Sequence, residues 1–213
     1  MARVKIKICG LTNLRDAERA VDLGAWALGM VLWPSSPRRC SRAEAARITA
    51  ALRRRAELAG VFVDASLDTV ARAADELALT MVQLHGDEGP SYCAEVARRT
   101  GCKVIKAVKV RSQADLRALR SFHTDFHLLD SGSALRPGGT GTTWDWALVD
   151  VLTGGVPVIA SGGLNPDNVA DAIRILRPYA VDSASGTEAQ PGIKDPAKLE
   201  GFFAAANSAS VAA

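Results

Sequence analysis

Short apolar runs rich in Val, Ile and Leu alternate along the chain with longer Ala-, Arg- and Glu-bearing stretches whose apolar positions recur at helical period. The first run, Val4–Ile8, precedes a helix over about Asn13–Leu23, with Gly24 as its stop. A second run, Trp26–Leu32, leads through the loop Trp33–Cys40 to a helix capped by Ser41 and running from Arg42 to about Arg54. Gly60–Val63 precedes a helix opened by Ser66. Met81–Leu84 precedes a helix over about Pro90–Arg99 that stops at Gly101, and Val104–Val108 precedes one capped by Ser112. Phe126–Leu129 ends at Asp130, and a longer loop, Ser131–Thr143, leads to a helix over about Trp144–Leu152. Val156–Ala160 is followed by Ser161-Gly162-Gly163-Leu164, with Asn165 and Pro166 as N-cap and first residue of the next helix. Ala180–Asp182, a helical turn near Ser185-Gly186 and a helix over about Pro196–Ala206 complete the pattern.

The pattern amounts to eight β-then-α units of roughly 25 residues each. Continuously apolar strands between amphipathic helices imply a parallel sheet covered on both faces. Eight such units fit a closed (β/α)8 TIM barrel. The rival is an open doubly wound sheet, which needs edge strands, and no strand here reads as a polar edge. No linker or low-complexity segment interrupts the chain. Residues 1–206 are therefore expected to form one barrel domain and 207–213 a frayed tail.

Composition narrows the partners. Twenty-six basic residues against twenty-three acidic ones are too balanced for a nucleic-acid surface, and Arg53-Arg54-Arg55 sits where a helix end favours cations. No apolar run approaches the roughly 20 residues of a membrane helix. The N-terminus leads straight into a strand, with no signal peptide expected. The four cysteines, Cys9, Cys40, Cys93 and Cys102, lack metal-ligand spacing, which suits reduced thiols in the cytoplasm.

Candidate chemistry collects at the strand ends: Cys9, Trp33, Asp64, His85, Lys109, Asp130, Ser161 and Asp182 would ring one face of a barrel. The turns Gly162-Gly163 and Ser185-Gly186, after the last two strands, can present backbone N–H groups to a phosphate. Cys9 and Asp130 are candidate reactive groups. A buried thiol often only packs, and an aspartate often only caps a loop. His85 is a candidate substrate contact. Trp33, Asp64 and Lys109 read as structural, as do His123 and His127, while Cys40, Cys93 and Cys102 read as packing or surface residues.

Longer motifs add a family resemblance. Lys7-Ile8-Cys9-Gly10-Leu11-Thr12 is similar to the opening of phosphoribosylanthranilate isomerases, enzymes of tryptophan biosynthesis. The likeness continues through Trp33-Pro34-Ser35-Ser36-Pro37-Arg38, Gln83-Leu84-His85-Gly86, Leu128-Leu129-Asp130-Ser131, and Gly138-Gly139-Thr140-Gly141 with Trp144-Asp145-Trp146. It also covers Ser161 to Val169, Val181 to Glu188, and Pro191-Gly192-Ile193-Lys194-Asp195. Each Gly-rich piece is weak alone; their order along nearly the whole chain is specific. The resemblance implies a barrel enzyme without metal or cofactor, acting on a small phosphorylated substrate; the residue pattern leaves monomer and homodimer both open. It implies Cys9 as general base, Asp130 as general acid, Arg38 at the anthranilate carboxylate, and the two glycine turns at the phosphate. Two positions depart from the family pattern. Thr142 replaces a lysine that many members carry, and Ser183-Ala184-Ser185-Gly186 stands for Val-Ser-Ser-Gly.

The implied reaction is an Amadori rearrangement. Asp130 would protonate the ribose ring oxygen, and Cys9, as thiolate, would take the proton from C2′. Gly138–Gly141 could close over the site. Alternatives are another phosphosugar barrel, such as a histidine-pathway isomerase or an epimerase, and a non-enzymatic barrel that only binds a phosphate ligand.

Overall fold

A computed structural model describes residues 3–130 and 154–211. The expected loop over 131–143 and helix over 144–152, with Gly138–Gly141 and Thr142, lie outside the described residues. Eight parallel strands close into a barrel in sequence order: β1 (Lys5–Cys9), β2 (Ala27–Val31), β3 (Glu57–Phe62), β4 (Met81–Leu84), β5 (Lys103–Lys109), β6 (Phe126–Asp130), β7 (Val158–Ser161) and β8 (Ala180–Ser183). β8 pairs back onto β1, with Lys7 opposite Asp182, so no edge remains. The (β/α)8 reading holds.

Helices α1 (Leu14–Asp22), α2 (Arg42–Leu52), α3 (Leu67–Glu76), α4 (Pro90–Thr100), α5 (Gln113–Ala118), α6 (Val169–Leu176) and α7 (Pro196–Val211) lie along the chain between and after the strands. Their starts follow local chemistry. Asn13, Ser41 and Ser66 each accept a hydrogen bond from the backbone N–H three residues on, satisfying an otherwise orphaned donor. Gly101 ends α4 in the left-handed conformation that glycine adopts freely. A short antiparallel hairpin, β9 (Glu188–Gln190) and β10 (Ile193–Lys194), follows β8.

Four boundaries differ from the sequence pattern. β3 begins at Glu57, since Glu57, Leu58 and Ala59 continue the ladder beside Ala27, Leu28 and Gly29. β7 begins at Val158; Pro157 has no N–H to give a ladder, and its carbonyl only accepts from His127. Asn165 caps a turn before the helix: its Oδ1 accepts from Asp167 N and Asn168 N, and α6 proper starts at Val169. The tail expected to fray from Asn207 is instead helical to Val211. Ala209 is buried there, and Arg3 Nε donates to Asn207 Oδ1 at 2.9 Å, so the last turns have tertiary partners.

Strand alternation sorts the side chains into two layers. Ile6, Ile8, Leu28, Met30, Leu58, Val82, Leu84 and Val181 pack outward against helix residues such as Ala17, Ile48, Val70, Val96 and Phe202. Ala27, Ala59, Met81, Ile105, Ala107, Leu128, Ile159 and Ala180 fill the barrel interior. The inward parity carries on to the strand ends, and there it delivers Cys9, Gln83, Lys109, Asp130, Ser161 and Asp182 to one cavity.

Candidate active site

The cavity at the C-terminal mouth of the barrel measures about 590 Å³. Cys9, His85, Asp130, Gly162, Gly163 and Ser185 all line it, together with Asp182, Gln83, Trp33, Lys109 and Ala184. Cys9 stands at the end of β1 and Asp130 at the end of β6, so a ligand in the cavity has a thiol and a carboxyl group on its walls.

Cys9 has room because its neighbour across the ladder is Gly29. A Cβ at position 29 would lie 2.7 Å from Cys9 Sγ. Two residues below Cys9 on the same face, Lys7 is fully buried and its Nζ donates to Asp182 Oδ1 at 2.8 Å. Ser161 Oγ donates to the other oxygen of Asp182 at 3.1 Å. Burial pushes the Cys9 thiol above its ordinary range. The Lys7 ammonium pulls it down, Asp182 pushes it up, and Lys194 pulls it down again. Burial also opposes the Lys7 charge, but Asp182 and Cys9 outweigh it, so Lys7 is raised and stays an ammonium. Lys194, buried under the end of β1, donates to Cys9 O at 2.7 Å and to Ala184 O at 2.9 Å. Its pKa is lowered, because burial outweighs its pairing with Glu188.

The turns after β7 and β8 form one surface. Gly162 and Gly163 have φ of 100° and 74°, which a residue with a Cβ rarely adopts. A Cβ on Gly186 would lie 1.9 Å from Leu164 O, so only glycine lets the second turn rest on the first. Ser183 Oγ donates to that same Leu164 carbonyl at 2.8 Å. The N–H groups of Gly162, Gly163 and Ser185 take no partner among the described residues and remain available to an anion in the cavity.

The family model of N-(5'-phosphoribosyl)anthranilate (PRA) isomerase matches residues 6–205. The chain belongs to the PRA isomerase family. It is 46% identical to the N-(5'-phosphoribosyl)anthranilate isomerase of Geobacter sp. (strain M21), over 97% of this chain and 99% of that protein. The crystal structure of phosphoribosyl anthranilate isomerase from Thermotoga maritima superposes with a TM-score of 0.83 at 41% identity, covering 96% of this chain and 99% of that one. A PRA isomerase solved in complex with reduced 1-(o-carboxyphenylamino)-1-deoxyribulose 5-phosphate superposes with a TM-score of 0.82 at 40% identity, with the same coverage.

Against the PRA isomerase pattern, three placements stand out. Arg38 does not line the cavity. It lies against Gly10, where a Cβ would sit 3.0 Å from Arg38 Cδ, and its Nε and Nη2 grip the buried Glu188 at 2.8–2.9 Å. Its Nη1 takes no partner among the described residues. Gly186 stands behind the cavity wall and supports it through Leu164. The hydroxyl absent at Ala184 has a counterpart one residue earlier, in the Ser183 bond to Leu164.

Trp33 and Lys109, read from sequence as structural, are cavity residues. A lysine ending an inward-facing strand has nowhere else to point, and the alternation of β5 carried that signal. Asp64 is structural as expected: its Oδ1 accepts from Asp87 N at 2.7 Å in a turn away from the cavity. Cys40, Cys93 and Cys102 are buried free thiols. Sequence reasoning missed Lys7, Gly29, Gln83, Glu188 and Lys194. A lysine inside a strand buried on both faces and a glycine inside a strand are visible signals. Lys194 was visible only as part of the Pro191-Gly192-Ile193-Lys194-Asp195 motif, since its place at Cys9 O depends on how the hairpin folds.

Proposed function

We propose that the protein converts N-(5'-phosphoribosyl)anthranilate to 1-(2-carboxyphenylamino)-1-deoxyribulose 5-phosphate, a step of tryptophan biosynthesis, with Cys9 as general base and Asp130 as general acid. The observation that carries the reading is the shared cavity: Cys9, Asp130, Gly162, Gly163 and Ser185 all line it.

The phosphate docks on the N–H groups of Gly162, Gly163 and Ser185, while Gly186 lets the second turn rest on Leu164. Arg38 reaches the anthranilate carboxylate with its uncommitted Nη1 edge, held in direction by Glu188. Two anchored ends fix the sugar between acid and base. Asp130 enters protonated and gives its proton to the ring oxygen as the anilinic nitrogen pushes, opening the ring to an iminium. Cys9 thiolate then removes the C2′ proton, and the enolamine tautomerises to the ketone. Each such transfer contributes about 10²–10⁴-fold. Burial disfavours the thiolate; the Lys7 and Lys194 ammoniums favour it and keep it within reach.

The test follows anthranilate fluorescence on mixing freshly made substrate with wild type, Cys9→Ala and Asp130→Asn. Fast loss of substrate signal in wild type and little in either variant is the expected result. Folded wild type without turnover would overturn the function, and equal rates in all three proteins would overturn the assignment of base and acid.

A further inference from the structure

We propose that Gln83 is a positioning residue for the acid: it holds His85 in the tautomer that aims Nε2–H at Asp130. The inference rests on the reading of Asp130 as general acid.

Gln83 and His85 are two residues apart at the end of β4, so both face inward while Leu84 packs outward against the helices. Gln83 Nε2 lies 3.0 Å from His85 Nδ1. An amide nitrogen only donates, so Nδ1 accepts, and a neutral imidazole then carries its hydrogen on Nε2. That nitrogen lies 3.8 Å from Asp130 Oδ2. Contact needs an approach of about 1 Å, and catalytic hydrogen bonds commonly tighten when substrate closes the site.

The chemistry favours this arrangement in the transition state rather than before it. A protonated Asp130 has little use for a donor at Oδ2. As its proton passes to the ring oxygen, the carboxylate gains charge, and Nε2–H meets that charge as it develops. The opposite tautomer would turn a lone pair toward the new carboxylate. Gln83 itself is 1% exposed, and its Oε1 has no hydrogen-bond partner among the described residues. A buried acceptor left unpaired is unfavourable, and an apolar side chain of the same length would avoid it. The amide is retained beside the acid, where its nitrogen has a task.

The test reads the ring nitrogens of His85 by long-range ¹H–¹⁵N NMR, with His85→Ala identifying its signals. Wild type is expected to show Nε2 protonated and Nδ1 bare. Gln83→Glu, whose carboxylate accepts from Nδ1–H, reverses the tautomer and lowers kcat about 10–100-fold with KM within about 3-fold. Gln83→Met, which fills the space without a donor, leaves the tautomer mixed and lowers kcat less. Adding Gln83→Glu to His85→Ala costs nothing further, because the glutamine acts through the histidine. A proton on Nδ1 in wild type would overturn the proposal, as would full kcat in folded Gln83→Glu. The tautomer is read without turnover. Full activity in Asp130→Asn would instead overturn the acid reading, and with it the catalytic half of this proposal, so the two failures are told apart.

Discussion

The two ends of the barrel are built from the same strands at the same inward parity, yet one end is sealed and the other is chemically open. Where the strands begin, Trp26, Phe126 and Tyr179 meet ring to ring, with centroids 5.2–5.5 Å apart. Lys5 Nζ sits 5.2 Å from the Trp26 ring centroid and donates to Tyr179 Oη at 2.6 Å. Glu57 is paired with Lys103 at 2.7 Å. Lys5, Tyr179, Glu57 and Lys103 are matched to one another here, which is how a plug contributes stability. Where the strands finish, His85 Nε2 lies 3.8 Å from Asp130 Oδ2, and among the described residues Gln83 Oε1 and the N–H groups of Gly162, Gly163 and Ser185 take no partner. Among the described residues, backbone donors held open in the cavity at one end, against a paired aromatic and ionic cluster at the other, distinguish a site from a seal.

The sharpest way to test that contrast is to remove the reacting groups. Cys9→Ala and Asp130→Asn should each lower kcat by about 10²–10⁴-fold while the unfolding midpoint stays close to wild type. The pH dependence has a definite sign. Burial holds the Cys9 thiol above its ordinary value, so the thiolate fraction grows as pH rises. Activity also needs Asp130 protonated, so the thiolate is read alone: the rate of Cys9 alkylation by iodoacetamide, followed by mass spectrometry, should climb from neutral pH into the alkaline range. A flat alkylation profile over that span would mean that burial does not hold the thiol up.

Breaking the pair beneath the mouth should show up in stability instead. Lys7→Met leaves Asp182 buried opposite no cation, a change that typically costs about 3–5 kcal/mol. Denaturant unfolding measures it. The companion Lys7→Met/Asp182→Leu, which buries no charge, should recover much of the loss. If the single variant is as stable as wild type, the pair is ornamental and the mouth is less tense than its geometry implies.

Gly29→Ala has a smaller, more local effect. The new methyl must displace Cys9 Sγ, so kcat should fall about 10-fold with KM little changed, at a stability cost of about 1–3 kcal/mol. Steady-state kinetics with anthranilate fluorescence separate the two parameters. A larger change in KM than in kcat would place the thiol against the substrate's binding face rather than its reacting carbon.

Much of this was legible in the chain because barrels are periodic. Runs of β-branched residues located the strands, caps such as Ser41 and Ser66 located the helices, and the strand ends then named Cys9, His85 and Asp130. What was not legible depends on contacts distant in sequence. Lys194 reaches Cys9 O across 185 positions, and Glu188 reaches Arg38 across 150, and no local pattern announces either. Boundaries erred where a ladder overrode composition, as at Glu57, or where a tertiary bond held a polar tail, as at Asn207. Gln83 was visible as part of a motif, but its task depends on which atom of His85 it faces, and only the folded strand decides that.

The smallest expected effect lies at the sealed end, and there a near-zero result carries information. Tyr179→Phe keeps the ring and its contacts with Trp26 and Phe126 but removes the hydroxyl that accepts from Lys5. Lys5 keeps its place over the Trp26 ring, and its ammonium is near enough to the surface for water to take the lost bond. Stability should fall by about 0.5–1 kcal/mol in urea unfolding, the usual net value of one such hydrogen bond. Turnover should not change, because the hydroxyl lies at the opposite end of the strands from Cys9 and Asp130. A drop in kcat with an intact fold would mean that strain at the plug travels along the strands to the mouth, and the two ends would then have to be treated as one mechanical unit.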